Sequence, residues 1–209
     1  MKAFVLMADI IESSSYSGDK LMSDFKALVD QVNTKFASSI SSPLTITLGD
    51  EFQGVIKDLN SAVQIVFAID ELLLKRSINY KLRYVINYGK IDTPINKKSS
   101  HEMLGEGLTG ARQFLEELKT NDAKVLISGL ENKKQAELNL AFVLYRSLYD
   151  DWNEKDKKPA YDFLQNVDYK ELARINKKAV STMWRKKKSL KIEDFKASKQ
   201  LIELLVNEG

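Results

Sequence analysis

The order of the predicted strands and helices constrains the fold of this chain more than any other feature of its sequence. Over roughly the first 130 residues, short apolar or β-branched runs alternate with segments whose apolar residues recur at helical spacing. The order is β-α-β-β-α-β followed by a further α-β, which is typical of the ferredoxin-like split arrangement on an antiparallel sheet. The predicted segments are, in chain order, 4–11, 19–36, 44–48, 52–56, 59–74, 82–91, 105–118 and 124–128.

The rest of the chain is predicted to be helical. Helical spacing covers segments 138–152, 153–164, 168–175, 178–188 and 190–206. Asn153 and Asp168 are expected to cap two of these helices, since both side chains can accept a hydrogen bond from a free backbone amide. The sequence therefore predicts an α+β chain in two parts. Residues 1–132 form a ferredoxin-like domain, and residues 133–209 form a helical region that contains a small helix-turn-helix.

Composition excludes several classes of site. The chain has no cysteine, so disulfides and thiolate metal sites are excluded. His101 is its single histidine, which argues against an imidazole zinc site and leaves carboxylates as the ligands of any metal, a preference of Mg²⁺ or Mn²⁺. No apolar run approaches the roughly 18 residues of a membrane span. The apolar N-terminus is interrupted at Asp9 without a signal-peptide cleavage site, so we expect a cytoplasmic protein.

Three carboxylates are predicted to lie close together. Asp9 ends the first strand, while Asp50 and Glu51 follow Gly49 at the tip of the predicted hairpin. Carboxylates from neighbouring strand ends can hold one or two divalent ions against a triphosphate. The alternative is structural, because aspartate is common at turn tips for backbone reasons alone.

Several short motifs resemble those of nucleotide cyclases. Ala8–Ile10 and Leu48–Phe52 look like the two metal-aspartate motifs of class III nucleotide cyclases, and the second also resembles the hairpin of the GGDEF diguanylate cyclases. Residues 83–89 resemble the cyclases' fourth core strand, and residues 105–112 resemble the segment that opens their next helix. The resemblance covers roughly residues 1–130. It implies metal ligands at Asp9, Asp50 and Glu51 and ligand-binding residues at Gly49, Gly105 and Arg112.

The chain also departs from the cyclase pattern. Active cyclases carry an asparagine and, four residues later, an arginine where this sequence has Thr109 and Gln113, and Arg112 is one position out of register. The hairpin also lacks the cyclases' base-selecting lysine. Because phosphoryl transfer depends on positioning and charge stabilisation, cyclase activity is not expected. What the resemblance implies is a degenerate domain that senses a nucleotide or a metal.

Positive charge is concentrated in the second half of the chain. Residues 170–199 contain 11 lysines and arginines against 3 acidic residues, whereas residues 1–150 contain 18 against 19. Such asymmetry favours an anionic partner for the C-terminal part. The alternative is a solvated helix face with no partner.

The basic segment has the spacing of a helix-turn-helix. In the second helix, Val180, Met183 and Trp184 are predicted to face inward, and polar or basic side chains are predicted to face outward. Such a helix reads the major groove of DNA while flanking cations contact phosphates. The candidate DNA-binding residues are Lys178, Ser181, Arg185, Lys186, Lys187 and Lys188. A helical hairpin that packs on the sheet with a basic outer face is the alternative.

The whole arrangement resembles the SatD family, in which a cyclase-like domain precedes a helix-turn-helix. This resemblance implies a bacterial, cytoplasmic protein with a regulatory role and no defined substrate. The first functional hypothesis is a DNA-binding transcriptional regulator whose cyclase-like domain senses a nucleotide or metal ligand. The second is a divergent two-metal nucleotide-processing enzyme that uses Asp9 and Asp50. A third is a homodimerising structural domain, since cyclase-like domains often pair.

Overall fold

A computed structural model describes residues 1–165 and 167–208. Its strands are β1 (Lys2–Ile10), β2 (Ile40–Ile46), β3 (Glu51–Ile56), β4 (Leu82–Lys90) and β5 (Val125–Ser128). Its helices are α1 (Gly18–Lys35), α2 (Leu59–Lys75), α3 (Glu106–Leu118), α4 (Asn132–Asp150), α5 (Glu154–Leu164), α6 (Tyr169–Ile175), α7 (Val180–Ser189) and α8 (Ile192–Asn207). The predicted order of strands and helices is confirmed. No helix in these two ranges is long and apolar enough to cross a membrane.

The strands form one sheet in the order β2-β3-β1-β4-β5. Strand β1 lies between β3 and β4 and is antiparallel to both, whereas β5 runs parallel to β4. The sheet is therefore mixed, and the prediction of an antiparallel sheet is wrong at β5. The reason is the β4-α3-β5 connection, in which the helix carries the chain back along the sheet so that the next strand starts from the same end.

Both faces of the sheet are covered. Along β1, Leu6 and Ala8 belong to the core under α1 and α2, while Val5 and Met7 point to the other face, under α3. None of these four side chains is more than 1% exposed. Because successive side chains of a strand point to opposite faces, covering both faces makes the strand apolar throughout.

The helical region shares this core. Helix α4 packs against β5 and α8, and α5 packs against α2. Asp70 of α2 is 1% exposed and accepts hydrogen bonds from Tyr84 of β4 at 2.8 Å and from Tyr145 of α4 at 3.0 Å. Arg146 of α4 forms an ion pair with the same carboxylate at 3.1 Å. One continuous core thus spans the predicted boundary at residue 132, and the division into two domains stays a prediction.

Asparagine side chains cap both edges of the sheet. On β2, the Asn33 side chain accepts from the Leu44 amide and donates to the Leu44 carbonyl, both at 2.8 Å. On β5, Asn139 makes the same two bonds to Ile127 at 2.8 and 2.9 Å. These bonds satisfy backbone groups that would otherwise be open to pairing with another chain.

Helices α6 and α7 are short and pack against each other. Asn153 and Asp168 cap α5 and α6 as predicted. Of the three side chains of α7 predicted to face inward, Met183 is buried, but Val180 and Trp184 are 47% and 48% exposed. That part of the prediction is wrong, because α7 packs mainly on α6 and a single buried side chain serves that contact.

Candidate functional site

Antiparallel pairing brings the three predicted carboxylates to one end of the sheet. Asp9 of β1 lies directly opposite Glu51 of β3. The amide of Ile10 donates to the carbonyl of Asp50 at 2.9 Å, which holds the hairpin tip against the end of β1. The sequence-predicted convergence of Asp9, Asp50 and Glu51 is therefore present in the fold.

Asp9 is paired with an arginine. The Arg83 Nη1 atom lies 2.9 and 3.1 Å from the two Asp9 carboxylate oxygens, and the two side chains are 12% and 7% exposed. Burial raises the pKa of the Asp9 carboxyl above its usual value, although Arg83 and, more weakly, Lys119 favour the charged form. A buried carboxylate of this kind needs a cation, and Arg83 supplies it.

Each of the other two carboxylates also has a partner. Glu51, 2% exposed, forms an ion pair with Arg112 of α3 and accepts a 2.7 Å hydrogen bond from the Thr47 hydroxyl. The carboxylate of Asp50 accepts a 2.5 Å hydrogen bond from the Ser13 hydroxyl. The sheet-end site, which we define as Asp9, Asp50, Glu51, Arg83 and Arg112, therefore mixes carboxylates and guanidinium groups.

This donor set does not present a ready pair of metal ligands. Within residues 1–165 and 167–208, no group of three or more histidine, cysteine, aspartate and glutamate side chains is arranged to hold a metal ion. A divalent cation at Asp9 would have to displace Arg83, and one at Glu51 would have to displace Arg112. Both guanidinium groups are instead suited to bind an anion, because their planar donors match carboxylate and phosphate oxygens.

The two predicted glycines occupy different places. Gly49 has φ +86° in the hairpin loop, a conformation that glycine adopts without strain. Gly105 precedes α3, where an added Cβ would meet the Lys90 carbonyl at 2.4 Å. On β4, Lys90 lies next to Gly105 and pairs with Lys2, whereas Arg83 pairs with Asp9. Lys90 and Arg83 are seven residues apart, which is about 23 Å along a strand. The structure thus brings Arg112 to the sheet-end site but places Gly105 at the opposite end of the sheet.

A second candidate surface lies on α7. Lys178, Ser181, Arg185 and Lys188, here called the α7 outer face, are all exposed. By contrast, Lys186 forms an ion pair with Asp156 of α5, and Lys187 forms one with Glu193 of α8 at 2.7 Å. These two predicted DNA-binding lysines therefore have carboxylate partners within the protein.

Further cations extend the α7 outer face. A groove of about 450 Å³ separates α5 from α7, and Lys155 and Lys158 of α5 lie across it from Lys178 and Arg185. Lys158 is paired with Asp162 of its own helix. Across residues 1–165 and 167–208, no ion pair involves Lys155, Lys178, Arg185 or Lys188. The groove thus combines the ion-paired Lys158 and Lys186 with three cations, Lys155, Lys178 and Arg185, that form no ion pair in the described chain.

Comparison with known families covers almost the whole chain. The model of the SatD family matches residues 3–204. This chain belongs to the SatD family. No curated protein matches it.

Solved structures similar to this SatD-family protein include two nucleotide cyclases. A bacterial light-regulated adenylyl cyclase shares 12% identity at a TM-score of 0.43, over 60% of this chain and 74% of that one. The catalytic core of a rhodopsin-guanylyl cyclase with converted specificity, in complex with ATPαS, shares 16% identity at a TM-score of 0.39, over 55% and 71%. At these values the similarity carries no argument about the site or the activity.

Sequence reasoning missed two residues of the sheet-end region. Arg83 is the second residue of β4 and lies directly across from Asp9, while Ser13 follows β1 in a short 3-10 turn. Arg83 could have been found from the sequence, because antiparallel pairing of β1 with β4 sets the last residues of one against the first residues of the other. Ser13 carries no such signal, since its contact depends on the path of a turn.

Proposed function

We propose that this SatD-family protein is a DNA-binding transcriptional regulator that contacts DNA through the α7 outer face. The observation that carries the proposal is the set of exposed cations Lys178, Arg185 and Lys188, none of which lies within 4 Å of a carboxylate in the described chain. By contrast, Lys186 and Lys187 of the same helix form ion pairs with Asp156 and Glu193. Unpaired cations in a row attract a polyanion, because binding a phosphate releases the counterions condensed on DNA.

The geometry of α7 fits this role. It is a 10-residue helix anchored by Met183, with Ser181 exposed near its N-terminus. A recognition helix uses small polar side chains in its first turn to reach base edges and uses cations around them for phosphates. In the proposal, Ser181 faces the bases, while Lys178, Arg185 and Lys188 contact the backbone. Lys155 of α5 adds a further phosphate contact across the groove.

The sheet-end site is proposed to sense the ligand. Phosphate oxygens of a nucleotide would compete with Asp9 for Arg83 and with Glu51 for Arg112. The released carboxylates would then be free to bind Mg²⁺ or Mn²⁺ carried by the nucleotide. The competing hypothesis of a two-metal enzyme requires Asp9 to be available for metal without such an exchange, and its pairing with Arg83 favours sensing.

Fluorescence anisotropy of the full chain on a mixed-sequence DNA duplex tests the DNA contact. Changing Lys178, Arg185 and Lys188 together to alanine is expected to weaken binding by at least about tenfold at low salt, because three phosphate contacts are lost. The matched control removes the same charge from Lys35, Lys57 and Lys97, which are exposed on other parts of the protein. Equal loss in both variants, or binding that survives the first, would overturn the assignment of the α7 outer face.

Nucleotide titration tests the sensing site separately. The Arg83→Ala variant is expected to lose affinity for a nucleotide measured with Mg²⁺ by calorimetry, while its affinity for DNA in the absence of nucleotide stays unchanged. Unchanged DNA affinity of the wild-type protein across a panel of nucleotides with Mg²⁺ would remove sensing from the proposal and leave DNA binding intact.

A further inference from the structure

Exposed apolar side chains are concentrated on two helices. Twelve large apolar residues in the described chain are at least 40% exposed, and five of them lie on α4 and α8. These five, here called the α4–α8 patch, are Leu140, Val143, Leu144, Leu201 and Leu204. Single exposed apolar residues need no explanation, whereas a cluster on packed neighbouring elements marks an interaction surface.

The two helices that carry the patch pack against each other in antiparallel directions. The Lys134 ammonium near the start of α4 donates to the Glu208 carbonyl at 2.6 Å, beyond the end of α8. Further along, the Tyr145 ring of α4 lies 4.9 Å from the Phe195 ring near the start of α8. This register sets Leu140 level with Leu201, so the two outer faces adjoin.

The opposite face of α4 is fully packed. Leu138, Phe142, Tyr145 and Tyr149 of this helix are all buried at 4% exposure or less. The exposure of Leu140 and its neighbours therefore does not come from a loosely attached helix. The second apolar stripe of this helix, whose first stripe is already buried, has no partner among the residues that the structure describes.

The spacing along α4 identifies the partner. Lys133, Leu140, Leu144 and Asp151 follow one another at intervals of seven, four and seven residues, and at about 100° per residue they lie on one stripe of the helix. The pattern reads the same in both directions except that its ends carry opposite charges. Two copies of α4 placed antiparallel would set Leu140 against Leu144 of the other copy and Lys133 against Asp151 of the other copy.

The charged residues at the ends of this stripe, Lys133 and Asp151, are held only by weak, exposed ion pairs within the chain. Lys133 is 3.8 Å from Glu137, and its side chain is 81% exposed. Asp151 is 3.4 Å from Lys191, and its side chain is 65% exposed. Exposed ion pairs at such distances contribute little to stability, so either could be replaced by a pair across an interface.

We propose that the α4–α8 patch is the contact surface of a homodimer with two-fold symmetry. The largest apolar patch of a monomer typically reaches about 300–600 Å². A two-fold contact buries the same patch on both copies, so a patch of this typical size contributes about 600–1,200 Å² in total, a range that includes the roughly 1,000 Å² of a specific interface. This inference does not depend on DNA binding, since α7 contributes no residue to the patch.

Sedimentation velocity of the full chain between about 5 and 100 μM tests the proposal, a range that brackets micromolar affinity. The wild-type protein is expected to sediment as a dimer at the upper end. The double variant L140E/L144E is expected to be a monomer with an unchanged circular dichroism spectrum, since both side chains already face solvent. Leu104→Glu is the control, because Leu104 is 70% exposed on a loop away from the patch, and it should leave the dimer intact.

A charge swap between Lys133 and Asp151 tests the antiparallel pairing of α4 with α4 of the other copy. Both side chains are exposed, so the swap should not affect folding. Lys133→Glu alone should weaken dimerisation by about tenfold, because each pair occurs twice in a two-fold interface. Adding Asp151→Lys should restore wild-type affinity. A monomeric wild-type protein at 100 μM, a dimer that survives L140E/L144E, or a swap without restoration would each overturn the proposal.

Discussion

Two buried aspartate–arginine pairs in this protein use the same chemistry in different surroundings. The Asp70 carboxylate accepts from Tyr84, Tyr145 and Arg146, and its exposure is 1%. The Asp9 carboxylate has Arg83 alone as its hydrogen-bond donor among the described residues and lies at the end of the sheet, beside the hairpin that carries Asp50. The first pair is enclosed by three elements of the core, whereas the second lies at the end of the sheet, where the Arg83 and Asp9 side chains keep 12% and 7% of their exposure.

The comparison shows how packing decides the role of an ion pair. Removing one member of an enclosed pair leaves an uncompensated charge that water cannot reach. At the sheet end, a freed guanidinium can turn toward solvent or toward an anion. Asp70 therefore joins the helical region to the sheet, while Asp9 holds Arg83 at the end of the sheet, where our proposal has a phosphate compete with Asp9 for Arg83.

The largest expected effect is at Asp70. Asp70→Ala should lower the free energy of unfolding by about 3–5 kcal/mol, because Arg146 would stay buried without its partner. Urea denaturation followed by circular dichroism measures this loss. The double variant D70L/R146M should recover much of it, and a loss below about 1 kcal/mol for the single variant would contradict the structural role of the pair.

A smaller effect is expected at Asp9. Asp9→Asn should lower the free energy of unfolding by about 1.5–3 kcal/mol, the range for a hydrogen bond to a charged group. It should also strengthen binding of nucleotide in the absence of divalent metal, because Arg83 would no longer face a full negative charge. Calorimetry with and without EDTA checks this, and weaker metal-free binding would count against competition between Asp9 and phosphate.

Lys157 extends the comparison, since it is a buried cation that forms no ion pair with a carboxylate among the described residues. Its ammonium donates to the Ile78 carbonyl and, at 3.4 Å, to the Asn79 side chain. Burial, with a smaller contribution from Lys81, lowers the pKa of Lys157 from 10.5 to about 8. The unfolded chain therefore binds more protons than the folded chain above pH 8, and stability should rise with pH in that range.

The expected gain is about 1–2 kcal/mol between pH 8 and pH 9.5. Urea denaturation at these two pH values measures it. Lys157→Met should remove the rise, while Lys155→Met, on the exposed side of the same helix, should retain it. If the free energy of unfolding of the wild-type protein is the same at both pH values, burial does not lower the pKa of Lys157.

Much of this fold could be predicted from periodicity. The alternation of strands and helices through residue 128 is clear in the sequence because apolar spacing differs between the two. The parallel pairing of β5 was missed, since spacing does not report strand direction. The exposure of Val180 and Trp184 was also missed. Apolar spacing shows which side chains share a face of the helix, but it does not show how many of them are buried by a neighbouring helix.

The candidate site was predictable in part. The carboxylates Asp9, Asp50 and Glu51 converge because strand order and hairpin position follow from the sequence. Their neutralisation by Arg83 and Arg112 depends on strand register and on the path of α3, neither of which a motif specifies. Motifs thus located the acidic groups and gave no sign that Asp9 and Glu51 already had guanidinium partners and that Asp50 had a hydroxyl partner.

The salt dependence of DNA binding tests the central proposal most directly. For a mixed-sequence duplex, the slope of log K against log salt should be less steep by about 2–3 in the variant lacking Lys178, Arg185 and Lys188 than in the wild-type protein, since each phosphate contact contributes about 0.9. The variant lacking Lys35, Lys57 and Lys97 should keep the wild-type slope. Identical slopes for all three proteins, or no binding by the wild-type protein at about 50 mM salt, would contradict DNA binding through the α7 outer face.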